Sequence, residues 1–125
     1  MRAVVTRVAH ASVTIDGVVE GAIDKGYLVL LGVGPDDTVA VCDKLAEKIC
    51  NLRVFEDENG KMNLSLKDID GQMLIVSNFT LLAAYKKGKR PDYMGAAAPA
   101  EADRLYRYFC ELCEAQLCHV GRGIF

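Results

Sequence analysis

The sequence predicts an α+β fold, in which a mostly antiparallel, barrel-like sheet carries two packed helices. Short β-branched segments separated by turn signals dominate the first third and the middle of the chain. Two longer stretches repeat apolar residues every three or four positions, as amphipathic helices do. The 125 residues, 51% of them hydrophobic, suit one domain with one core. We therefore expect a single domain over residues 1–125.

The first strands are marked by alternation and by turns. Polar and apolar residues alternate over Arg2–Val8, which predicts a strand. Ala11–Ile23 predicts a hairpin, because two β-branched arms flank Asp16 and Gly17, a strong two-residue turn signal. The run YLVLLGV after Gly26 is too apolar for a half-exposed strand, so we place it in the middle of the sheet.

The first helix is predicted over Thr38–Leu52, with three candidate N-cap residues: Asp36, Asp37 and Thr38. Its apolar stripe is expected at helical spacing, on Val41, Leu45, Ile49 and Leu52.

A second hairpin, a second helix and a tail complete the prediction. Arg53–Phe55 and Met62–Leu66 flank an Asn-Gly turn and are expected to pair. A proline opens the second helix, which is expected over Pro99–Cys118. The tail, His119–Phe125, carries two glycines and shows no secondary-structure signal of its own.

The stretch Met73–Ala84 organises the chain, because a buried strand there runs directly into polar side chains. Alternation along a strand places Ser77 and Phe79 on one face, and Asn78 and Thr80 on the other. These polar groups either satisfy local backbone at the end of the strand or face a cleft, since an unpaired buried polar group is costly.

A basic loop follows this stretch. Four positive charges in five residues repel one another, and the formal net charge of −2 makes any contact with nucleic acid a local one. The loop is either a solvated surface loop or a phosphate clamp beside the Ser77–Thr80 segment. Its charged residues are Lys86, Lys87, Lys89 and Arg90.

The termini and the cysteines indicate the compartment. The chain shows no signal peptide and no apolar run long enough to span a membrane, so a cytoplasmic protein is expected. Five cysteines in that compartment are expected to be reduced. A zinc site on Cys110, Cys113, Cys118 and His119 is conceivable, but the C-x-x-C falls inside a predicted helix and buried thiols are the favoured interpretation. No metal or cofactor is expected.

Histidine catalysis has little support in the sequence. Only His10 and His119 are present, and neither neighbours a plausible nucleophile with an orienting carboxylate. Neither G-x-x-x-x-G-K-[ST] nor G-x-G-x-x-G, the glycine-rich phosphate-binding loops, occurs.

Five segments, in this order and spacing, resemble the D-aminoacyl-tRNA deacylases: MRAVVTRVAHASVTIDG, YLVLLGV, VFEDENGKMNLSL, LIVSNFTLLA and KGKRPDY. The resemblance covers essentially the whole chain and implies a β-barrel-like α+β homodimer without a cofactor. It implies hydrolysis of the ester that joins a D-amino acid, or glycine mischarged on tRNA-Ala, to the 3′ end of tRNA.

The resemblance also implies the site. The family signature S-Q-F-T is carried here by Ser77, Asn78, Phe79 and Thr80. It implies that backbone N–H groups around Phe79 and Thr80 lie at the scissile carbonyl, with the Thr80 side chain as the first candidate for a direct role. Further substrate-binding roles are implied for two residues: Arg7 supports the active site, and Phe125 lines the adenosine pocket. The basic loop would contact tRNA.

Two departures from the family pattern bear on function. Asn78 replaces a glutamine, which shortens the side chain by one methylene and alters positioning. The sequence also stops at Phe125, before the Gly-Pro segment with a cis peptide bond that excludes L-amino acids in the family. We expect either a chain truncated at its C-terminus or a naturally shortened member. A catalytically impaired remnant that only binds the tRNA end is the alternative function.

Overall fold

A computed structural model of the chain describes every residue except Tyr85, Lys87 and Cys118. It contains eight strands, two α-helices and one 3₁₀ turn in the described residues. In chain order these are β1 (Arg2–Val8), β2 (Ala11–Ile15), β3 (Val18–Ile23), β4 (Gly26–Gly32), α1 (Val39–Asn51), β5 (Phe55–Glu56), β6 (Met62–Leu64), β7 (Gln72–Ser77), the 3₁₀ turn (Phe79–Leu82), α2 (Pro99–Gln116) and β8 (Val120–Arg122).

The predicted α+β class is confirmed, but the main sheet is mixed. Its strand order is β1-β4-β7-β8, in which β1 is antiparallel to β4 while β4–β7 and β7–β8 are parallel. Strands β2–β3 and β5–β6 form separate antiparallel pairs. The described residues show no closed sheet, so the barrel-like part of the prediction is not supported. The connection through α1 makes the parallel β4–β7 pairing possible, because parallel neighbours need a long crossover.

The first hairpin is confirmed together with its turn. Asp16 and Gly17 both adopt positive φ, 51° and 79°, which is the backbone that a two-residue turn of this kind requires. Strand β4 is hydrogen-bonded on both sides, which confirms the central position of the YLVLLGV segment.

Helix α1 confirms one N-cap candidate and shifts the predicted stripe. The Thr38 hydroxyl accepts the Val41 N–H at 3.4 Å, while Asp37 accepts the Gly34 N–H and pairs with the Met1 amino group. Val41, predicted on the buried stripe, is exposed. The buried residues of the helix are instead its two cysteines, one alanine and one isoleucine: Cys42, Ala46, Ile49 and Cys50.

The tail corrects the prediction most clearly. Expected to lack regular structure, it forms β8, which pairs in parallel with Met73–Ile75 of β7. The reason is tertiary, because the otherwise unpaired edge of β7 offers N–H and C=O groups to a short glycine-containing segment. Strand β7 ends at Ser77, and α2 ends at Gln116 rather than at the predicted Cys118. Within the described residues, no helix has the length and apolar character needed to cross a membrane.

The core lies between the sheet and the two helices. Tyr27, Val29 and Leu31 of β4 are fully buried, as are Met73 and Ile75 of β7. They pack against a group of helical side chains that includes Ala46, Ile49, Cys50, Phe109, Cys110 and Cys113. Ser77 lies on the same face of β7 as the buried Met73 and Ile75, so its side chain lies at the end of the core.

Candidate active site

A cleft of about 180 Å³ lies where β4 and β7 end. Residues from four parts of the chain line it: Val33, Ser77, Phe79, Ala97, Ala102, Ile124 and Phe125. The backbone N–H of Ala97 donates to the Val33 oxygen at 2.9 Å, which holds the approach to α2 against the end of β4. Three of the predicted site residues, Ser77, Phe79 and Phe125, therefore meet in one cleft.

The 3₁₀ turn places the polar residues of the signature. Asn78 N–H donates to the Leu31 oxygen at 2.8 Å, which fixes the start of the turn on β4. The Asn78 side-chain oxygen accepts the Thr80 N–H at 3.1 Å and also the Thr80 hydroxyl. Among the described residues, the Phe79 N–H donates no hydrogen bond. The turn thus has two neighbouring backbone donors: the Phe79 N–H, which is unbonded among the described residues, and the Thr80 N–H, which is bonded to the Asn78 side chain.

The predicted division of the signature between two faces needs a correction. Strand geometry ends at Ser77, and Phe79 and Thr80 lie in the 3₁₀ turn. Ser77 and Phe79 nevertheless both line the cleft, while Asn78 and Thr80 bond to each other. The strand stops because Asn78 caps the turn with its own side chain, a local alternative to continued pairing.

Aromatic rings frame the cleft. Phe79, with 58% of its surface exposed, meets Tyr93 edge to face with ring centroids 5.2 Å apart. Phe125 packs against Tyr106 at 5.8 Å. The buried Tyr106 hydroxyl donates to the Ile75 oxygen at 2.7 Å, and burial raises the pKa of this phenol, which keeps it a donor. Tyr106 therefore anchors Phe125 to β7, although nothing in the sequence pattern marked it.

The cleft walls were also missed at the sequence level. The wall residues have no reactive side-chain group, so no motif marks them: Val33, Ala97, Ala102 and Ile124. The one related feature of the sequence is the run of small residues before Pro99, which favours a close approach of backbone.

Arg7 is not brought to this cleft. Its guanidinium donates to the Val54 oxygen at 2.7 Å. In the sheet, Arg7 of β1 is the register partner of Tyr27 in β4, whereas Ser77 of β7 is the register partner of Leu31, four residues further along β4. Four residues of strand span about 13 Å. A different arginine contacts the 3₁₀ turn, since Arg2 donates to the Leu81 oxygen at 2.9 Å.

The basic loop begins directly after the 3₁₀ turn. An antiparallel bridge between Ala84 and Asp92 closes it, with both backbone bonds formed at 2.7 and 2.8 Å. Lys86, Lys89 and Arg90 are exposed, and Lys87 lies outside the described residues. The bridge ties the positive charges to the segment that carries Phe79 and Thr80.

Among the residues that the structure describes, no histidine, aspartate or glutamate side chain lines the cleft. His119 contacts the Ala22 oxygen at 3.0 Å, beside the opposite end of β7. Cys110 and Cys113 are fully buried in α2, as predicted, and Cys118 lies outside the described residues. Across the residues with described positions, no three or more His, Cys, Asp or Glu side chains form a group able to hold a metal. The polar groups at this cleft are the Ser77 hydroxyl and the backbone of the adjoining 3₁₀ turn.

A family model and curated relatives identify one family. The family model described as D-Tyr-tRNA(Tyr) deacylase matches residues 4–125. The chain is 55% identical to a D-aminoacyl-tRNA deacylase of Caldicellulosiruptor saccharolyticus, covering all of this chain and 84% of that protein. It is 54% identical to the Vibrio cholerae protein of the same name, covering 86% of it. The solved structure of a c-Myc DNA unwinding element binding protein superposes with a TM-score of 0.94 at 40% identity, covering 100% of this chain and 85% of that one. The chain therefore belongs to the D-Tyr-tRNA(Tyr) deacylase family.

Proposed function

We propose that the chain hydrolyses D-aminoacyl-tRNA to a free D-amino acid and tRNA, a chiral proofreading reaction. The observation that carries this function is the free Phe79 N–H beside the Thr80 N–H, on a turn that borders the cleft. Neighbouring backbone donors of this kind stabilise the oxyanion that forms when an ester carbonyl is attacked. Family membership supplies the substrate class.

The reaction needs no side-chain base from the cleft. Water attacks the ester carbonyl carbon, and the carbonyl oxygen, as it gains negative charge, accepts hydrogen bonds from Phe79 N–H and Thr80 N–H. For the second bond the substrate oxygen replaces the Asn78 side-chain oxygen, which holds that donor in the free protein. The bond to the ribose 3′ oxygen then breaks, and the proton that the attacking water loses passes through the neighbouring 2′-hydroxyl to that oxygen. Ser77 lines the cleft and Thr80 Oγ1 is held by Asn78, so both act as positioning groups.

The 3′ end of tRNA fits the remaining features. Phe125, 46% exposed at the cleft, offers an aromatic face to the terminal adenosine. The basic loop lies immediately beyond the 3₁₀ turn, and its exposed charges would contact the phosphates that precede the adenosine. Arg7 is not among the residues that line this cleft, so its implied support of the active site remains a prediction.

The sheet also offers a surface for a homodimer. Val4, Leu30 and Val76 are register partners on three adjacent strands. They lie on the face opposite the helices; Val4 is 46% exposed and the other two are half-buried. A second copy would cover this apolar row and the open edge of β1. Sedimentation of the wild type and of Val4→Lys tests the assignment, with dimer expected only for the wild type.

The scope of the reaction extends to glycine. Glycine has no side chain, so, like a D-amino acid, it puts no group in the position that the side chain of an L-amino acid would take at the cleft wall. We therefore include glycyl-tRNA mischarged on tRNA-Ala among the proposed substrates. Because aminoacyl-tRNA is made and used in the cytoplasm, we assign the reaction to that compartment.

Single-turnover deacylation tests the proposal. D-Tyr-tRNA, L-Tyr-tRNA and Gly-tRNA-Ala are each mixed with excess protein, and ester loss is followed against buffer alone. Acceleration of D-Tyr-tRNA hydrolysis over buffer is expected, and Lys44→Gln, an exposed change on α1, serves as an inert control. Tight binding of tRNA without acceleration would instead identify a tRNA-end-binding remnant.

A further inference from the structure

Two thiols face each other across the interface between α1 and α2. Cys50 lies in the last turn of α1 and Cys113 in the last turn of α2, with their Sγ atoms 3.9 Å apart. Both residues have 0% of their surface exposed. They are 63 positions apart in sequence and meet only because the helices pack together.

The two sulfur atoms differ in acidity. The hydrogen bond shared with Cys113 and the positive charge of Lys67 lower the pKa of the Cys50 thiol. The same hydrogen bond and burial raise the pKa of Cys113. Burial raises the pKa of Cys42 and of Cys110 to about 11. Of these four thiols, Cys50 is therefore the first to form a thiolate, which is the nucleophilic form.

We propose that Cys50 and Cys113 form an oxidisable pair, a modification site at which a peroxide links α1 to α2 through a disulfide. The Cys50 thiolate attacks one oxygen of hydrogen peroxide, giving a sulfenic acid and hydroxide. The Cys113 thiol then attacks that sulfur, the S–S bond forms, and water leaves. In total two thiols are oxidised, the peroxide is reduced to two waters, and a thiol reductant reverses the change.

The position of the pair at two helix ends makes the cross-link geometrically accessible. A disulfide requires sulfur atoms about 2.0 Å apart, so the two sulfurs must approach by nearly 2 Å. Rotation of both side chains and a small shift of the terminal turns supply this movement, since helix ends are the least restrained part of a helix. Intracellular disulfides of this kind are usually transient and redox-sensing.

Native-state oxidation followed by peptide mapping tests the proposal without reference to catalysis. The intact chain is treated with hydrogen peroxide, its remaining thiols are alkylated after denaturation, and the digest is analysed by mass spectrometry. We expect a dithiothreitol-sensitive Cys50–Cys113 peptide as the main cross-link, and a loss of two hydrogen atoms from the intact mass. Disulfides between other pairs of cysteines in equal yield would overturn the proposal, and so would a Cys50–Cys113 disulfide that forms only after the chain unfolds.

Matched variants isolate the pair. Cys110→Ser removes a buried thiol one turn earlier in α2, and Cys42→Ser removes one elsewhere in α1; both are expected to keep the cross-link. Cys50→Ala and Cys113→Ala are each expected to abolish it, and thermal unfolding before oxidation establishes that each is folded. Because loss of either thiol removes the link, one folded variant of the two is sufficient. A disulfide formed between other cysteines of that variant, in a yield equal to the wild-type cross-link, would overturn the assignment.

Discussion

The side-chain oxygen of Asn78 accepts hydrogen bonds from both the backbone N–H and the hydroxyl of Thr80. The two residues, only two positions apart, thereby close the first turn of the 3₁₀ segment that follows β7. The polar groups of the signature satisfy one another, and the Phe79 N–H is left without an acceptor among the described residues. We therefore expect the catalytic contribution of this turn to come from its backbone N–H groups rather than from a hydroxyl.

Two changes at Thr80 separate these roles. Thr80→Ala removes a hydroxyl that only Asn78 contacts among the described residues, so we expect the deacylation rate to fall by less than about 10-fold. Thr80→Pro removes the N–H donor from the first turn of the 3₁₀ segment, and we expect a loss of about 10²- to 10³-fold in the folded variant. Single-turnover rates of the two folded variants provide the comparison. Wild-type activity in Thr80→Pro would eliminate the oxyanion role.

Phe125 is expected to act on binding rather than on chemistry. Phe125→Ala removes an aromatic face from the cleft but leaves the Tyr106 hydrogen bond to the Ile75 oxygen in place. We expect KM for D-Tyr-tRNA to rise about 10-fold, in line with the loss of one base stack, while kcat changes little. Phe125→Tyr, which keeps the ring, is the matched control. A fall in kcat with unchanged KM would contradict adenosine binding at this position.

The basic loop should determine the salt dependence of tRNA binding. Changing Lys89 and Arg90 together to Gln should weaken binding and reduce the log–log salt slope by about one unit for each phosphate that the loop no longer neutralises. Lys44→Gln with Lys48→Gln removes the same charge from the exposed face of α1 and controls for net charge. Binding titrations across a salt series measure both slopes. Equal slopes in the two double variants would show that the loop is only solvated, and neutralising all four loop charges extends the test.

The buried Cys42 thiol should weaken the fold at alkaline pH. Burial raises the pKa of Cys42 from its ordinary value of 9.0 to about 11. Above pH 9 the unfolded chain loses this proton first, so the free energy of unfolding falls as pH rises and levels off above pH 11. We expect a loss of about 2 kcal/mol from this thiol over that range. Denaturant unfolding of the wild type and Cys42→Ala at pH 8 to 11 measures the difference, and parallel curves would count against it.

Much of the fold follows from signals that lie close together in the sequence. Asp16 and Gly17 determine a turn because their own backbone preferences favour positive φ. Thr38 ends one segment and caps α1 through its own hydroxyl. Each of these outcomes depends on residues only a few positions apart, which is why the pattern of the sequence was sufficient to predict them.

The site was only partly predictable for the same reason. The resemblance pointed to Ser77, Phe79 and Phe125, and the structure brings these three to one cleft. Arg7 was expected beside them, yet the register of β1 with β4 places it about four residues away along the sheet. Arg2 and Tyr106 were not expected, because their partners, Leu81 and Ile75, are distant in sequence.

The sequence by itself determined the local elements: the hairpin at Asp16, the buried strand β4 and the two helices. Only the tertiary structure decided that β7 lies parallel to β4 and that Val120–Arg122 becomes a strand at all. Strand pairing between distant segments depends on which edge is left open after the helices pack, and no short window of sequence carries that information. The cleft inherits this dependence, because its walls come together only when β8 pairs with β7 and carries Phe125 to Tyr106.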